Sequence, residues 1–170
     1  MLLKWIGAAL ITAGCGGVGF SIAAAYRREE RELRQMTTAL DFMACELQYR
    51  LTPLPDLCRL AGSELQGVAG KFLTALASEL ECGLQPEVGD CVISVLTKMT
   101  DIPRKVKDAA LLLGSSLGRF DVDGQLKGLE AVRGYCRREL EIMSDGKENR
   151  LRSYQTLGIC AGAALAILFV

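Results

Sequence analysis

The residues of this 170-residue chain that could do chemistry are few, and their types and spacing limit what they can do. Histidine is absent, which removes the usual general base and the commonest metal ligand together. Ser-His and Cys-His nucleophile pairs are thereby excluded, leaving cysteine and carboxylate chemistry. Cys15 and Cys160 lie in apolar ends of the chain, while Cys45, Cys58, Cys82, Cys91 and Cys136 are scattered through a charged middle, and no pair forms C-x-x-C. Such cysteines read as reduced, half-buried packing residues. The carboxylates Asp121 with Asp123, and Glu139 with Glu141, stand two apart, so on a helix they diverge from any common substrate. Gly14-Cys15-Gly16-Gly17-Val18-Gly19 matches G-x-G-x-x-G, but that fingerprint has meaning only between a strand and a helix of a βαβ unit. A helical pattern follows it here, and no later strands build a parallel sheet. A phosphate loop of the G-x-x-x-x-G-K-[ST] type is missing as well. The expectation is a non-enzymatic protein with no cofactor and no metal.

Charge explains where the elements must lie. Twenty basic residues cancel twenty acidic ones, and aromatics make up 6% of the chain, so no nucleic-acid surface is expected. Thirty-nine of the forty charges fall between residues 27 and 152, with only Lys4 outside. Trp5 to Tyr26 is uncharged for 22 residues, about 30 Å of helix, and carries an amphipathic aromatic at each end. Ser153 to Val170 is uncharged for 18 residues, enough to span if Arg150 and Arg152 snorkel. Both are expected to be transmembrane helices. A cleaved leader fits poorly: Thr12 stands where a lipoprotein cleavage site usually carries Leu, and apolar sequence continues past Cys15. Ala9, Ala13 and Gly17, and Gly158, Gly162 and Ala166, repeat at intervals of four and suit close helix packing in lipid. Arg27, Arg28, Arg31 and Arg34 follow the first span, and Lys147, Arg150 and Arg152 precede the second, so residues 27–152 should be cytoplasmic.

Within 27–152 the apolar residues Leu33, Met36, Leu40, Met43, Leu47 and Leu51 form a helical stripe, repeated by Leu126, Leu129, Val132, Cys136, Leu140 and Met143. Each stripe leads into a span without Pro, predicting two stalk helices with apolar faces toward the rest of the domain. Between them, Thr52-Pro53 reads as a helix start with Thr as cap. Lys71 to Cys82 reads as a helix closed by Gly83, Pro86 opens another, and Pro103 a fifth. Gly118 should end that one and Asp121 cap the next, leaving Arg119 and Gln125 without a structural purpose and so candidates for partner contact. The arginines 27, 28, 31 and 34 are candidates of the same kind. The expected fold is all-α, a membrane-anchored bundle of five to six helices flanked by N- and C-terminal transmembrane helices, divided as 1–26, 27–152 and 153–170.

The chain also resembles the stage III sporulation protein AB family of endospore-forming bacteria over nearly its whole length. The resemblance is carried by the Arg-rich start after the first span, Leu-Arg-Gln at 33–35, Ala39-Leu40, Glu46, Tyr49 and Thr52-Pro53-Leu54. It continues through Leu117-Gly118, Asp121 and Gln125 to the apolar tail after Leu157-Gly158. The many glycines of the first span depart from the family's large aliphatic residues. The resemblance implies a part of the mother-cell-to-forespore channel, in the outer forespore membrane. It also implies a cytoplasmic domain similar to those of the type II secretion inner-membrane platform F proteins. Implied partners are a cytoplasmic hexameric ATPase and other membrane proteins of the channel, with self-association open. Two other readings stand beside it: a static coiled-coil adaptor of another complex, and a thiol-dependent membrane enzyme.

Overall fold

Proline, glycine and short connections cut the apolar periodicity into six helices in the computed structural model. They are α1 Leu2–Arg50, α2 Leu54–Ser63, α3 Val68–Cys82, α4 Val88–Lys98, α5 Arg104–Ser116 and α6 Val122–Phe169. The structure describes the backbone of residues 2–83, 85, 87–117 and 121–169, and the side chains of residues 20–83, 85, 87–117 and 121–145. Among these residues there is no strand, and the protein is all-α. The chain divides into two units, residues 1–28 with 142–170, and residues 29–141. Among the described residues no helix is long and apolar enough to cross a membrane. Residues 5–19 of the first expected span, and all of the second, lie outside the described side chains. So do the six small residues expected to pack there, Ala9, Ala13, Gly17, Gly158, Gly162 and Ala166.

In the unit 29–141 the α1 stripe is buried at Leu33, Met36, Leu40, Met43 and Leu47. α6 adds Leu129, Val132 and Cys136, again at helical spacing. The short helices close over them with Leu57 of α2, Phe72, Leu73 and Leu76 of α3, Val92 and Val95 of α4, and Val106 and Leu113 of α5. Each large side chain buried in this way contributes about 1.5–3 kcal/mol. The stripe stops one residue earlier than its spacing suggests. Leu51 is 64% exposed, because α1 ends at Arg50 and Leu51 takes the left-handed conformation (φ 52°), turning its side chain off the helical face. An L-residue there costs about 1 kcal/mol. Leu51→Gly is therefore expected to raise stability by about 0.5 kcal/mol once the greater freedom of glycine in the unfolded chain is subtracted. The midpoint of urea unfolding followed by circular dichroism measures it.

The helix starts are where the structure departs most from local reading. Thr52 does not cap α2: Pro53 occupies the N-cap position, and the Thr52 hydroxyl donates instead to Glu46 Oε2 of α1 at 3.3 Å. A capping oxygen accepts the amide of the second or third helical residue, and the second here is Pro55, which has no N–H to give. α3 begins at Val68, three residues before Lys71, and ends at Cys82 on left-handed Gly83 (φ 61°). The N-cap positions of α2 to α5 are Pro53, Gly67, Glu87 and Pro103, and none provides a side-chain cap. Glutamates of α1 take that role at two of them. Glu32, 6% exposed, accepts the N–H groups of Val68 (2.8 Å) and Ala69 (3.1 Å) at the start of α3. Glu29 accepts the N–H of Lys105 (3.1 Å) in the first turn of α5. A carboxylate at a helix N-terminus satisfies orphan donors and meets the positive end of the dipole.

Pairs between helices complete the unit. Arg59 of α2 bridges to Glu81 of α3. Glu79 of α3 accepts from Ser94 (2.8 Å) and Lys98 (2.8 Å) of α4, and the Lys98 and Ser94 bonds hold its carboxyl below the usual range. Lys105 pairs with Glu139 of α6 at 2.8 Å. In the other unit, Ala23 and Met143 are buried, and the Tyr26 hydroxyl donates to the Met143 carbonyl at 3.0 Å.

Candidate partner-binding surface

The four arginines of the segment after Tyr26 have different immediate surroundings. Arg27 leans back along its own helix: Nε donates to the Ala23 carbonyl (3.3 Å), and the guanidinium lies 5.8 Å from the centre of the Phe20 ring. Arg28 and Arg31 are exposed. Arg34 reaches one turn back to Glu30, with NH2 3.0 Å and Nε 3.3 Å from Oε1. Gly118 and Arg119 lie outside the described residues. The Asp121 carboxylate accepts the N–H of Gly124 (3.0 Å), and the Asp121 carbonyl accepts the N–H of Gln125 (2.9 Å), which is the geometry of a helix start. Gln125 is half-buried.

A surface that the sequence reading missed lies between α1 and α6 in the unit 29–141. Leu40, Ala44 and Gln48 of α1 and Leu126, Lys127 and Glu130 of α6 line an open groove of about 370 Å³. Leu40 and Leu129 make its buried apolar floor, and Gln48, Lys127 and Glu130 are exposed on its rim. At one end Arg133 binds Asp41 across the helices at 2.9 Å, close to Glu130 at 3.6 Å. An apolar floor under charges of both signs suits contact with another protein segment. The signal was present as Leu40, Ala44 and Gln48 at steps of four. Sequence alone could not show that α6 leaves that face partly open.

Of the five described thiols, Cys58, Cys91 and Cys136 are buried packing groups, whereas Cys45 and Cys82 are exposed rather than half-buried as the sequence suggested. Burial pushes the Cys58 thiol up to about 12. Burial pushes Cys136 to about 11, against the opposing hydrogen bond of Thr37. Both stay protonated at neutral pH, the reverse of an activated nucleophile. Iodoacetamide at pH 8 is expected to label Cys45 and Cys82 of the folded protein at least roughly a hundredfold faster than the three buried thiols, with the difference lost in urea. Peptide mass spectrometry of timed samples reads the rates. Among the described residues no three acidic or cysteine side chains converge as metal ligands.

Two long helices and four short ones, two of them capped by carboxylates from α1, define an all-α protein whose described surface offers a contact groove. The chain belongs to the stage III sporulation protein AB family, whose model matches residues 4–170. It is similar to "Stage III sporulation protein AB" of Bacillus subtilis (strain 168), with 22% identity over 171 residues, covering 99% of this chain and 100% of that one. A solved structure of "Stage III sporulation protein AB (SpoIIIAB)" aligns with a TM-score of 0.63 at 18% identity, covering 72% of this chain and 98% of that chain. That likeness establishes the fold.

Proposed function

We propose that this protein is a non-enzymatic membrane platform of the mother-cell-to-forespore channel, linking a cytoplasmic hexameric ATPase to membrane partners. Its apolar ends lie in the outer forespore membrane, and residues 27–152 face the mother-cell cytoplasm. The observation that carries this reading is the course of α1 and α6. Each runs unbroken from the buried core of residues 29–141 into one of the two apolar terminal stretches. Force on the bundle has a helical route toward each span, and a helix transmits load through its own hydrogen-bond ladder. Family membership and the groove between α1 and α6 support a contact role, with no chemistry required of the chain itself.

The competing account is a static adaptor that holds its partners and transmits nothing. Inserting three glycines between Ser144 and Asp145 interrupts α6 while leaving the groove residues untouched. The platform reading predicts that the full-length variant still captures the ATPase but that spore yield falls at least tenfold. Normal spore yield with intact capture would favour the static adaptor. Arg119→Glu tests the contact itself: unchanged ATPase capture by this variant removes Arg119 from the interface.

A further inference from the structure

Arg27 is left with a charge to neutralise. Helical side chains lean toward the helix N-terminus, which here is the direction of the apolar stretch 5–26. The guanidinium accordingly lies over Phe20 two turns back, with Nε spent on the Ala23 carbonyl. Of its five N–H donors, four remain. Among the described residues no carboxylate pairs with it, and the Glu30 carboxylate is engaged by Arg34. Beside this cation the ring of Phe20 is itself open to the surroundings, 63% exposed. An exposed guanidinium held over an exposed aromatic ring suits a boundary between water and an apolar phase.

The geometry points to Arg27 and Phe20 as a binding site for an anionic membrane phospholipid. The lipid phosphate is held by the free guanidinium edge, and its acyl chains lie against Phe20. A phosphodiester matches the planar fork of arginine, and the ring beneath orients that fork. A free phosphate ion would satisfy the charge and leave the apolar wall in water. An acidic segment of a protein partner would do little better, because uncharged sequence continues from Phe20 back to Trp5. This inference rests on the membrane reading above and deepens it, fixing the lipid headgroup level one to two turns before Arg27.

The test uses the full-length protein with Trp5→Phe and Phe20→Trp, reconstituted in vesicles of phosphatidylcholine with either brominated phosphatidylglycerol or brominated phosphatidylcholine at equal content. The new indole keeps an aromatic platform and reports the nearest lipid. Quenching is expected to show about a fivefold preference for phosphatidylglycerol, the factor for one basic residue near an anionic headgroup. That preference should be lost in Arg27→Gln, weakened in Arg27→Lys, which keeps the charge but not the planar fork, and unaffected by millimolar inorganic phosphate. Equal quenching by the two lipids, with the protein still in the vesicles, overturns this site and leaves the membrane reading standing. Protein that neither floats with vesicles nor shows quenching overturns both. Loss of the preference on adding inorganic phosphate would make this a free-anion site. An unchanged preference in Arg27→Gln, with ATPase capture lost, would make Arg27 a protein contact; each result contradicts the proposal.

Discussion

Gly70→Ala is expected to lower stability by about 2 kcal/mol, while Gly134→Ala in α6 is expected to raise it by about 0.5–1 kcal/mol. The same methyl group acts in opposite directions because of what it meets. At Gly70 an added Cβ would lie 2.5 Å from the Leu65 carbonyl oxygen and 3.0 Å from that of Gly62. At Gly62 the reciprocal atom would lie 2.9 Å from the Thr74 amide nitrogen. These are backbone atoms, so no rotamer change relieves the contact, and α2 and α3 must separate where they cross. Separation opens the packing around the buried Phe72, Leu73 and Leu57. Alanine also gains about 1 kcal/mol of helix propensity over glycine, which offsets part of an overpacking cost of about 3 kcal/mol. At Gly134, exposed in the middle of α6, nothing lies within 4 Å of the added atom, so the propensity gain stands alone. Thermal unfolding of the detergent-solubilised full-length variants should show shifts of opposite sign. Two shifts of the same sign would mean that the α2–α3 crossing is not this close.

The second large effect is expected at Glu32. Glu32→Ala leaves the amides of Val68 and Ala69 without their acceptor, Ala69 being fully buried, and removes a negative charge from the start of α3. A hydrogen bond to a charged group contributes about 1.5–3 kcal/mol, and an orphaned buried donor costs about 1–3, so the expected loss is about 2–3 kcal/mol. Glu32→Gln keeps an oxygen acceptor in a similar position and is expected to lose only about 1 kcal/mol. Gly67 belongs to the same device. Its φ of 96° is one that L-residues rarely adopt, and a Cβ there would sit 2.5 Å from Glu32 Oε1. Hydrogen exchange at Val68 and Ala69 separates a cap from a packing role. Glu32→Ala should accelerate exchange at these amides more than in the interior of α6, whereas uniform acceleration would reduce Glu32 to a buried side chain.

These two effects also mark the boundary of what local sequence could reveal. The apolar stripes at steps of three and four disclosed α1 and α6, and Gly83 and Pro103 marked a helix end and a helix start, because each follows from the conformational freedom of neighbouring residues. The capping glutamates had no such signature. Glu32 acts on amides 36 and 37 residues away, and Glu29 on one 76 residues away, distances at which spacing carries no information. A trace was available: Gly67 and Pro103 open helices without offering an acceptor, so an acceptor had to come from elsewhere. Thr52 misled for a related reason: it stands one residue before the N-cap position, which Pro53 holds, and its hydroxyl donates to Glu46 of α1. At Leu51 the periodicity ran one residue past the helix end, where a left-handed turn breaks it. The opposition of α1 and α6 that forms the groove depends on tertiary packing alone. The Phe20 and Arg27 pair, seven residues apart on one helical face, was legible as spacing, and only the structure shows the side chain leaning back to meet the ring.

The platform role is tested most directly where it is claimed to operate. A photocrosslinking residue in place of Lys127, on the exposed rim of the α1–α6 groove, would be carried by the full-length protein in sporulating cells. After illumination and purification, mass spectrometry identifies what is attached. The account predicts the hexameric ATPase in the crosslinked product, reduced at least tenfold by Arg133→Glu at the end of the groove, with the membrane partners retained. A product containing membrane proteins and no ATPase, whether the probe stands at Lys127 or at Gln48, would contradict it.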